Sequence, residues 1–177
     1  MQEHSAILTM LDILDAACNK LDSGTQVDPE DFEAMVGFLK EFADACHHKK
    51  EESFLFPALE QSGVPREHGP IGVMLTEHDL GRKYIRGLGQ SIEAYKSGNK
   101  DATLGLMSNA RGYINLLRMH IEKENGVLFP LADQRLSEQV QSELMKNFQR
   151  IEVEEIGEGK HEQFHVLLRK LKTVYLS

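Results

Sequence analysis

Apolar residues recur three and four positions apart along most of the chain, and turn-forming residues separate the stretches that carry this pattern. This periodicity predicts helices throughout. We predict a first helix over about residues 3–21, which ends before the turn at Gly24. A second helix begins at Asp28 and Pro29, a capping residue followed by proline, and extends to about residue 59.

Two further long helices are predicted in the middle of the chain. The third covers about residues 70–97, and the fourth begins at its capping residue Asp101 and reaches residue 130 or slightly beyond. The connections are short, so consecutive helices are expected to be antiparallel neighbours. The predicted fold is therefore all-α, an up-down-up-down four-helix bundle over about residues 3–133.

The last part of the chain predicts additional helices outside the four of the bundle. Ser137 can cap a fifth helix, which extends to about residue 156, and a last helix follows over residues 160–174. No linker of domain scale separates them from the bundle. We therefore expect a single domain over residues 1–177, in which the C-terminal helices, about residues 137–174, pack on the bundle.

Composition narrows the classes of partner. With 20 basic and 28 acidic residues the formal net charge is −8, which argues against a nucleic-acid surface, since phosphate binding needs a basic patch. No apolar run approaches the roughly 20 residues that span a bilayer, and the first residues lack the basic start of a signal peptide. The two cysteines, Cys18 and Cys46, fit a reduced compartment. We expect a cytoplasmic protein without nucleic-acid or membrane partners.

The most informative pattern is a repeat of ligand-type residues within the predicted helices. Residues 47–57 read His-His-Lys-Lys-Glu-Glu-Ser-Phe-Leu-Phe-Pro, and residues 120–130 read His-Ile-Glu-Lys-Glu-Asn-Gly-Val-Leu-Phe-Pro. Both contain His-x-x-x-Glu followed by Leu-Phe-Pro at the same offset. A lone histidine, His4 or His78, precedes each copy at nearly the same distance.

This repeat predicts one site for two metals. Residues four apart share a helix face, so the histidine and the glutamate of each copy point the same way. Both pairs interrupt apolar, core-facing stripes, where an imidazole or a carboxylate is costly unless it is paired or metal-bound. Two carboxylates from opposite hairpins can bridge two cations about 3.5–4 Å apart. The six candidate metal ligands are His4, His47, Glu51, His78, His120 and Glu124.

The donor set also favours particular metals. Mixed nitrogen and oxygen ligation with spare coordination suits iron or manganese better than a structural zinc site, which is closed by four ligands. Iron is favoured when the function involves oxygen, so we expect two iron ions, Fe2+ or Fe3+, with a bridging oxo or hydroxo group, and regard manganese and zinc as less favoured. One coordination position is expected to remain for an exogenous ligand.

Three other histidines are candidates for additional ligands or for partners of ligands. His161 and His165, four apart in the last helix, could reach over the bundle; the alternative is an ordinary amphipathic helix with histidine on its edge. His48 follows His47, but the step of about 100° per residue in an α-helix is expected to turn it away from the site. Glu52 is expected on a solvent-exposed face.

Three residues are candidates for shaping a pocket beside the metals. Tyr113 could donate a hydrogen bond to a bound oxygen species or act as a redox residue; the alternative is a core tyrosine whose hydroxyl is satisfied elsewhere. Gly81, close after His78, could leave a gas-sized opening or simply allow the helices to pack closely. Met74, four residues before His78, is the third candidate.

The order His, His-x-x-x-Glu, His, His-x-x-x-Glu resembles the hemerythrin-like (HHE cation-binding) family, and Cys46-His-His-Lys-Lys-Glu-Glu with the downstream Leu-Phe-Pro is similar to its bacterial branch. The resemblance covers about residues 3–133 and implies a four-helix bundle in which the six candidates are iron ligands. Oxygen-carrying members have a second histidine in the third helix, whereas Met74 stands at that position here. They carry Asp five residues after the histidine of the fourth helix, whereas Glu124 follows His120 by four. The resemblance also extends to iron-centre repair proteins of nitrosative stress.

Three functions follow from these expectations. The first is a non-haem diiron protein that binds or senses a small molecule such as oxygen or nitric oxide. The second is a diiron oxidoreductase that acts on peroxide or nitric oxide, since no feature of the sequence marks a pocket for a large substrate. The third is an iron-buffering or iron-sensing protein, in which metal loading changes the stability of the bundle. The sequence leaves open whether the protein is an enzyme and which protein partner it has.

Overall fold

The computed structural model describes residues 2–99, 101–157 and 159–176, and these residues form helices joined by short turns. The α-helices are α1 (Gln2–Asp22), α2 (Pro29–Phe38), α3 (Phe56–Gln61), α4 (Pro70–Lys96), α5 (Ala102–Lys123), α6 (Phe129–Arg135), α7 (Glu138–Ile151) and α8 (Lys160–Tyr175). π-Helical segments with a wider turn extend them at Leu39–His48, Glu51–Leu55, Glu124–Leu128 and Glu152–Ile156.

Four long helices make the bundle. The first is α1 and the third is α4. The second bundle helix, residues 29–61, runs from α2 through two π-helical segments to α3, and the fourth bundle helix, residues 102–135, runs from α5 to α6. Helix α4 packs along α5, while α1 packs against α5 and against the second bundle helix. The all-α, four-helix-bundle prediction is confirmed.

Side-chain caps begin two of the helices, α2 and α7, whereas the predicted cap of α5 is absent. The side chain of Asp28 accepts a hydrogen bond from the backbone N–H of Glu30 at 2.9 Å, as the sequence predicts for the second helix. Ser137 likewise caps α7. Asp101 precedes α5, but its side chain makes no capping bond; its own backbone N–H donates to Oδ1 of Asn99 at 3.0 Å. Asn99 therefore organises the turn that was assigned to Asp101.

Apolar side chains fill the bundle in two clusters. The larger cluster includes Leu11, Phe42 and Leu117, and the other includes Phe56 and Leu128. Along the second, third and fourth bundle helices, the candidate metal ligands stand in sequence between the members of these clusters. These candidate ligands form a polar layer across the bundle. Apolar side chains bound this polar layer and keep bulk water away from it.

The C-terminal helices lie on the outside of the bundle. Helix α8 packs on α1 and α2, and the hydroxyl of Tyr175 donates to Oδ2 of Asp31 at 2.6 Å. Helix α7 packs against the π-helical segment Glu51–Leu55. Gly157, with φ at 93°, separates the two, because a left-handed backbone ends the preceding helix. The assignment of the whole chain to one domain stays a prediction.

No helix in the described ranges combines the length and the apolar character that a membrane-spanning segment requires.

Candidate metal centre

The two sequence repeats adopt the same local structure. In each, a π-helical segment begins at the glutamate, Glu51 or Glu124, and the backbone N–H five residues later, at Phe56 or Phe129, donates to the carbonyl of that glutamate. Pro57 and Pro130 follow in the first turns of α3 and α6, which end a few residues later at Gln61 and Arg135.

The first group of candidate ligands joins α1 to the second and fourth bundle helices. Nε2 of His4 lies 3.1 Å from Nε2 of His47 and 3.0 Å from Oε2 of Glu124. Nε2 of His47 lies 3.7 Å from the same carboxylate oxygen. All three side chains are buried, and their donor atoms lie within 4.8 Å of one another.

The second group lies beside the first and shares one carboxylate with it. Nε2 of His78 lies 3.1 Å from Nε2 of His120 and 3.4 Å from Oε2 of Glu51. Nε2 of His120 lies 2.7 Å from Oε1 of Glu124. The two oxygens of Glu124 therefore face different histidine pairs, which is the arrangement that a bridging carboxylate requires.

Outer carboxylates orient one histidine of each group. Oε2 of Glu3 lies 2.9 Å from Nδ1 of His47, and Oε2 of Glu77 lies 2.9 Å from Nδ1 of His120. An N–H donated from Nδ1 to a carboxylate leaves Nε2 with its lone pair, which is the tautomer that binds a metal. Both glutamates stand directly before the lone histidine of their own half, so the dipeptide Glu-His is also part of the repeat. Sequence reasoning missed this signal.

The other two histidines are held from the opposite half of the chain. Oε1 of Glu52 lies 2.6 Å from Nδ1 of His78, and Oδ1 of Asn125 lies 3.0 Å from Nδ1 of His4. Glu52 also accepts from Arg82 at 2.8 Å. The expectation that Glu52 faces solvent was wrong, because the π-helical turn brings the residue after each repeat glutamate towards the lone histidine of the other half.

The repeat includes a lysine as well. Lys50 and Lys123 each stand three residues after the repeat histidine, and their ammonium groups form ion pairs with Glu3 and Glu77 respectively. Lys50 also pairs with Glu152, in the π-helical segment after α7. The C-terminal part of the chain thus reaches the polar layer through one ion pair.

His48 does not turn away from the site, so that expectation was wrong. It is 3% exposed, its ring stacks on that of His78 with centroids 3.9 Å apart, and its donor atoms lie within 4.8 Å of those of His78 and His120. The cause is the π-helical segment Leu39–His48, in which consecutive side chains point closer together than in an α-helix. Burial lowers the pKa of His48 to about 3, so the imidazole is neutral.

The histidines of α8 lie outside both groups. His161 lies near Glu3 and Cys46, with donor atoms within 4.8 Å of one another, and its ring contacts that of Phe42. Since Glu3 holds His47, His161 is separated from the candidate ligands by one residue. His165 is exposed and lines an outer cavity with His161.

The candidate pocket residues separate into two places. Tyr113 and Gly81 line a cavity of about 300 Å³ together with His48 and His78. A Cβ added at Gly81 would lie 3.4 Å from Cε2 of Tyr113, so the glycine also permits close packing there. Burial raises the pKa of Tyr113. Met74 packs in the apolar cluster around Phe56 instead.

Charge is concentrated among the buried groups. Burial opposes a charge on His47, but Glu51, Glu124 and Glu3 outweigh it and raise the pKa of His47 to about 10. Burial alone would raise the pKa of Glu124, but the surrounding histidines outweigh it and lower that pKa. For Glu51 burial prevails and raises the pKa. In this state a proton stands where a cation would neutralise the same carboxylates, so metal uptake is expected to release protons.

The residues fit a dinuclear metal group. All four carboxylate oxygens of Glu51 and Glu124 are buried. When each neighbouring histidine donates from Nδ1 to its outer partner, these oxygens face Nε2 lone pairs and have no hydrogen-bond partner. Nε2 of His48 is likewise buried without a partner. Leaving a buried polar atom unpaired costs about 1–3 kcal/mol, and more for a charged group. Two cations between the histidine pairs would satisfy the four oxygens at once, and imidazole and carboxylate suit iron or manganese.

Comparison with known proteins agrees with this chemistry. The profile of the Hemerythrin HHE cation binding domain matches residues 1–132. The Iron-sulfur cluster repair protein YtfE of Edwardsiella ictaluri is 32% identical over 134 residues, which cover 74% of this chain and 60% of that protein. Its namesake in Escherichia coli O157:H7 is 33% identical over 97 residues, 50% of this chain and 41% of the relative.

A more distant relative covers more of the chain. An uncharacterised protein of Mycobacterium tuberculosis is 23% identical over 159 residues, 90% of this chain and 62% of the relative. The chain therefore spans less than two thirds of the length of these relatives. No solved structure matches it. The family match covers most of the chain, and the chain belongs to the hemerythrin HHE cation-binding family.

Proposed function

We propose that this member of the hemerythrin HHE family is a non-haem diiron protein that binds or senses a small molecule such as oxygen or nitric oxide. The observation that carries the proposal is the pair of buried carboxylates, Glu51 and Glu124, whose four unpartnered oxygens lie among four histidines. Each of these histidines is held at Nδ1 by a side-chain oxygen of another residue. Such outer partners are typical of metal-binding histidines.

In this proposal the two metals divide the six ligands by proximity. His4 and His47 would hold one iron, His78 and His120 would hold the other, and Glu51 and Glu124 would serve both. The contacts of Glu124 with His4 at 3.0 Å and His120 at 2.7 Å support its shared role. The metals, when bound, supply reversible one-electron chemistry and an open position for a small ligand.

The protein contributes shielding and orientation. The apolar clusters on both sides of the polar layer exclude water, which protects a bound small molecule from proton transfer and hydrolysis. The outer partners fix the histidine rings before metal arrives, so little reorganisation accompanies binding. Tyr113 lines the 300 Å³ cavity that reaches His78, where its hydroxyl could donate to a ligand in that cavity.

Access favours a small ligand. Besides the cavity at His48 and His78, another of about 470 Å³ is lined by His47, Glu51 and Phe129 beneath α7. Both reach candidate ligands through mixed apolar and polar walls. Both cavities have room for a diatomic molecule or peroxide beside the candidate ligands.

A second candidate function is supported by the names of the relatives. Two of them are called iron-sulfur cluster repair proteins, which favours a role in iron handling or in chemistry on peroxide or nitric oxide over plain storage of a gas. The same six ligands would serve either role. The free, buried thiols of Cys18 and Cys46 suit a reduced, cytoplasmic compartment.

The test is the metal content of protein purified without added metal, with absorption spectra before and after dithionite reduction and exposure to oxygen or nitric oxide. We expect two irons per chain and a spectral change that reverses when the gas is removed. Consumption of peroxide or nitric oxide with turnover would favour the oxidoreductase. Absence of iron, or one tightly held zinc, would exclude the diiron proposal.

A further inference from the structure

The contacts around the six candidate ligands repeat between the two halves of the chain. Glu3 contacts Nδ1 of His47 as Glu77 contacts Nδ1 of His120. In both halves the lysine three residues after that histidine forms an ion pair with the same glutamate. The aromatic rings follow the same rule, since Phe129 stacks near His4 with centroids at 5.5 Å and Phe56 near His78 at 5.9 Å.

The correspondence fails at His48. Its counterpart in the second repeat is Ile121, and the counterpart of Asp44, one turn earlier, is Leu117; both counterparts are apolar and buried. Arg82, four residues after His78, corresponds to Leu8, four residues after His4. A polar chain of three side chains therefore exists on one side of the site only.

This polar chain holds His48 as the other ligands are held. Nδ1 of His48 lies 3.3 Å from Oδ1 of Asp44, and Nε of Arg82 donates to the same oxygen at 3.0 Å. The carboxylate at Nδ1 is the feature shared with His47, His78 and His120. It favours the tautomer in which Nδ1 carries the proton, so Nε2 keeps its lone pair as a possible donor to a metal.

The other ring nitrogen of His48, Nε2, is buried and has no hydrogen-bond partner. The residue as a whole is only 3% exposed, so water does not reach this nitrogen freely. An imidazole packed only for its volume would not need the costly Asp44 and Arg82 beside it; Ile121 and Leu117 fill the equivalent space without polar groups. The donor atom of His48 lies within 4.8 Å of those of His78 and His120, close enough for the three residues to share one metal.

We propose that His48 is a seventh protein ligand, which gives the metal at His78 and His120 a third imidazole. This inference rests on the diiron proposal. The two metals would then be inequivalent, one with three imidazoles and the other, at His4 and His47, with two. The ring of His48 stacks on that of His78 with centroids 3.9 Å apart, so ligation requires the His48 ring to turn until its Nε2 points at the metal.

The experiment compares the wild-type chain with His48→Ala and His48→Gln, each loaded with 57Fe(II) without oxygen. The matched control is His165→Ala, since His165 is an exposed histidine outside both ligand groups. Mössbauer spectra report the equivalence of the two irons, X-ray absorption counts imidazoles per iron, and a chelator measures the rate at which each iron leaves. Circular dichroism of the metal-free proteins checks the fold.

We expect two distinct iron signals of equal area in the wild type and in the control. Both His48 variants should lose one imidazole from the total of five, and one of their two irons should leave at least about tenfold faster. Free imidazole should restore the wild-type spectrum to His48→Ala, because truncation opens the cavity beside His78. Rescue distinguishes a missing ligand from a damaged fold.

Two results would overturn the inference. If the wild type holds two irons and the His48 variants match His165→Ala in spectra and release rates, His48 is not a ligand, while the diiron proposal stands. If the wild type binds no iron, both fail together. If His48→Ala does not fold, His48→Gln, which keeps most of the volume, decides by the same spectra.

Discussion

The carboxylate of Glu77 lies 2.9 Å from Nδ1 of His120, although the two residues stand on different helices, α4 and α5. Glu77 is itself held by Lys123, one turn of α5 after His120. The contact fixes both the tautomer and the orientation of a predicted iron ligand from a residue that does not reach the metals. It gives the first prediction.

Glu77→Gln should weaken iron binding without removing a ligand. The amide keeps the size of the side chain but loses the charge that favours an N–H at Nδ1, and changes of this kind cost about 10- to 100-fold in metal affinity. Competition with a chelator of known affinity measures the effect. Glu93→Gln, an exposed glutamate of the same helix, is the control. Equal affinities for the two variants would show that Glu77 does not support the site.

The shared carboxylates give the second prediction. Glu124→Gln should abolish binding of both irons, because its two oxygens face different histidine pairs, at 2.7 Å and 3.0 Å. Glu51→Gln should also reduce iron content. The amide is isosteric, so the bundle is expected to fold, and iron per chain is measured directly. Glu122→Gln is the control, since Glu122 is exposed two residues before Glu124. Full occupancy in both site variants would refute the bridging assignment.

Much of the candidate site could be predicted from sequence, because the candidate ligands follow helical spacing. His47 and Glu51 share a face of a helix, and the copy at His120 and Glu124 makes a chance occurrence improbable. Spacing cannot reveal contacts between halves, and so Asn125 at His4 and Glu52 at His78 were missed.

The orientation of His48 was misjudged for a different reason. A π-helical turn depends on the bonding of the whole segment Leu39–His48, and no periodic pattern of side chains in the sequence marks it. The bundle itself was predictable because short connections between long amphipathic helices leave few alternatives. The misassigned cap at Asp101 shows the limit of residue preference, since Asn99 two positions earlier organises the same turn.

Iron binding should stabilise the fold, which is the third prediction. The unfolded chain does not hold the six ligands together, so the free energy of metal binding adds to the free energy of unfolding. Free iron at a hundred times the dissociation constant would add about 2.7 kcal/mol, or about 5–10 °C in Tm for a chain of this size. Anaerobic thermal unfolding with Fe(II) and with a chelator checks this. An unchanged Tm for the Glu124→Gln variant under both conditions is the internal control.

Glycine at position 112 lets the ring of Tyr84, on α4, lie against the backbone of α5. A Cβ at Gly112 of α5 would lie 2.5 Å from Cε1 of Tyr84 on α4, closer than carbon atoms can pack. Gly37, in α2, has nothing within 4 Å of the same position. The two glycines form a matched pair, both helical, of which one faces a neighbouring helix closely.

Gly112→Ala should therefore destabilise the protein, while Gly37→Ala should stabilise it. Alanine favours a helix over glycine by about 1 kcal/mol, which is the expected gain at Gly37. At Gly112 the same gain is outweighed by displacement of Tyr84, since overpacking costs about 1–3 kcal/mol. Chemical denaturation of the metal-free proteins measures both changes. Equal stabilisation by both substitutions would show that Tyr84 moves aside freely.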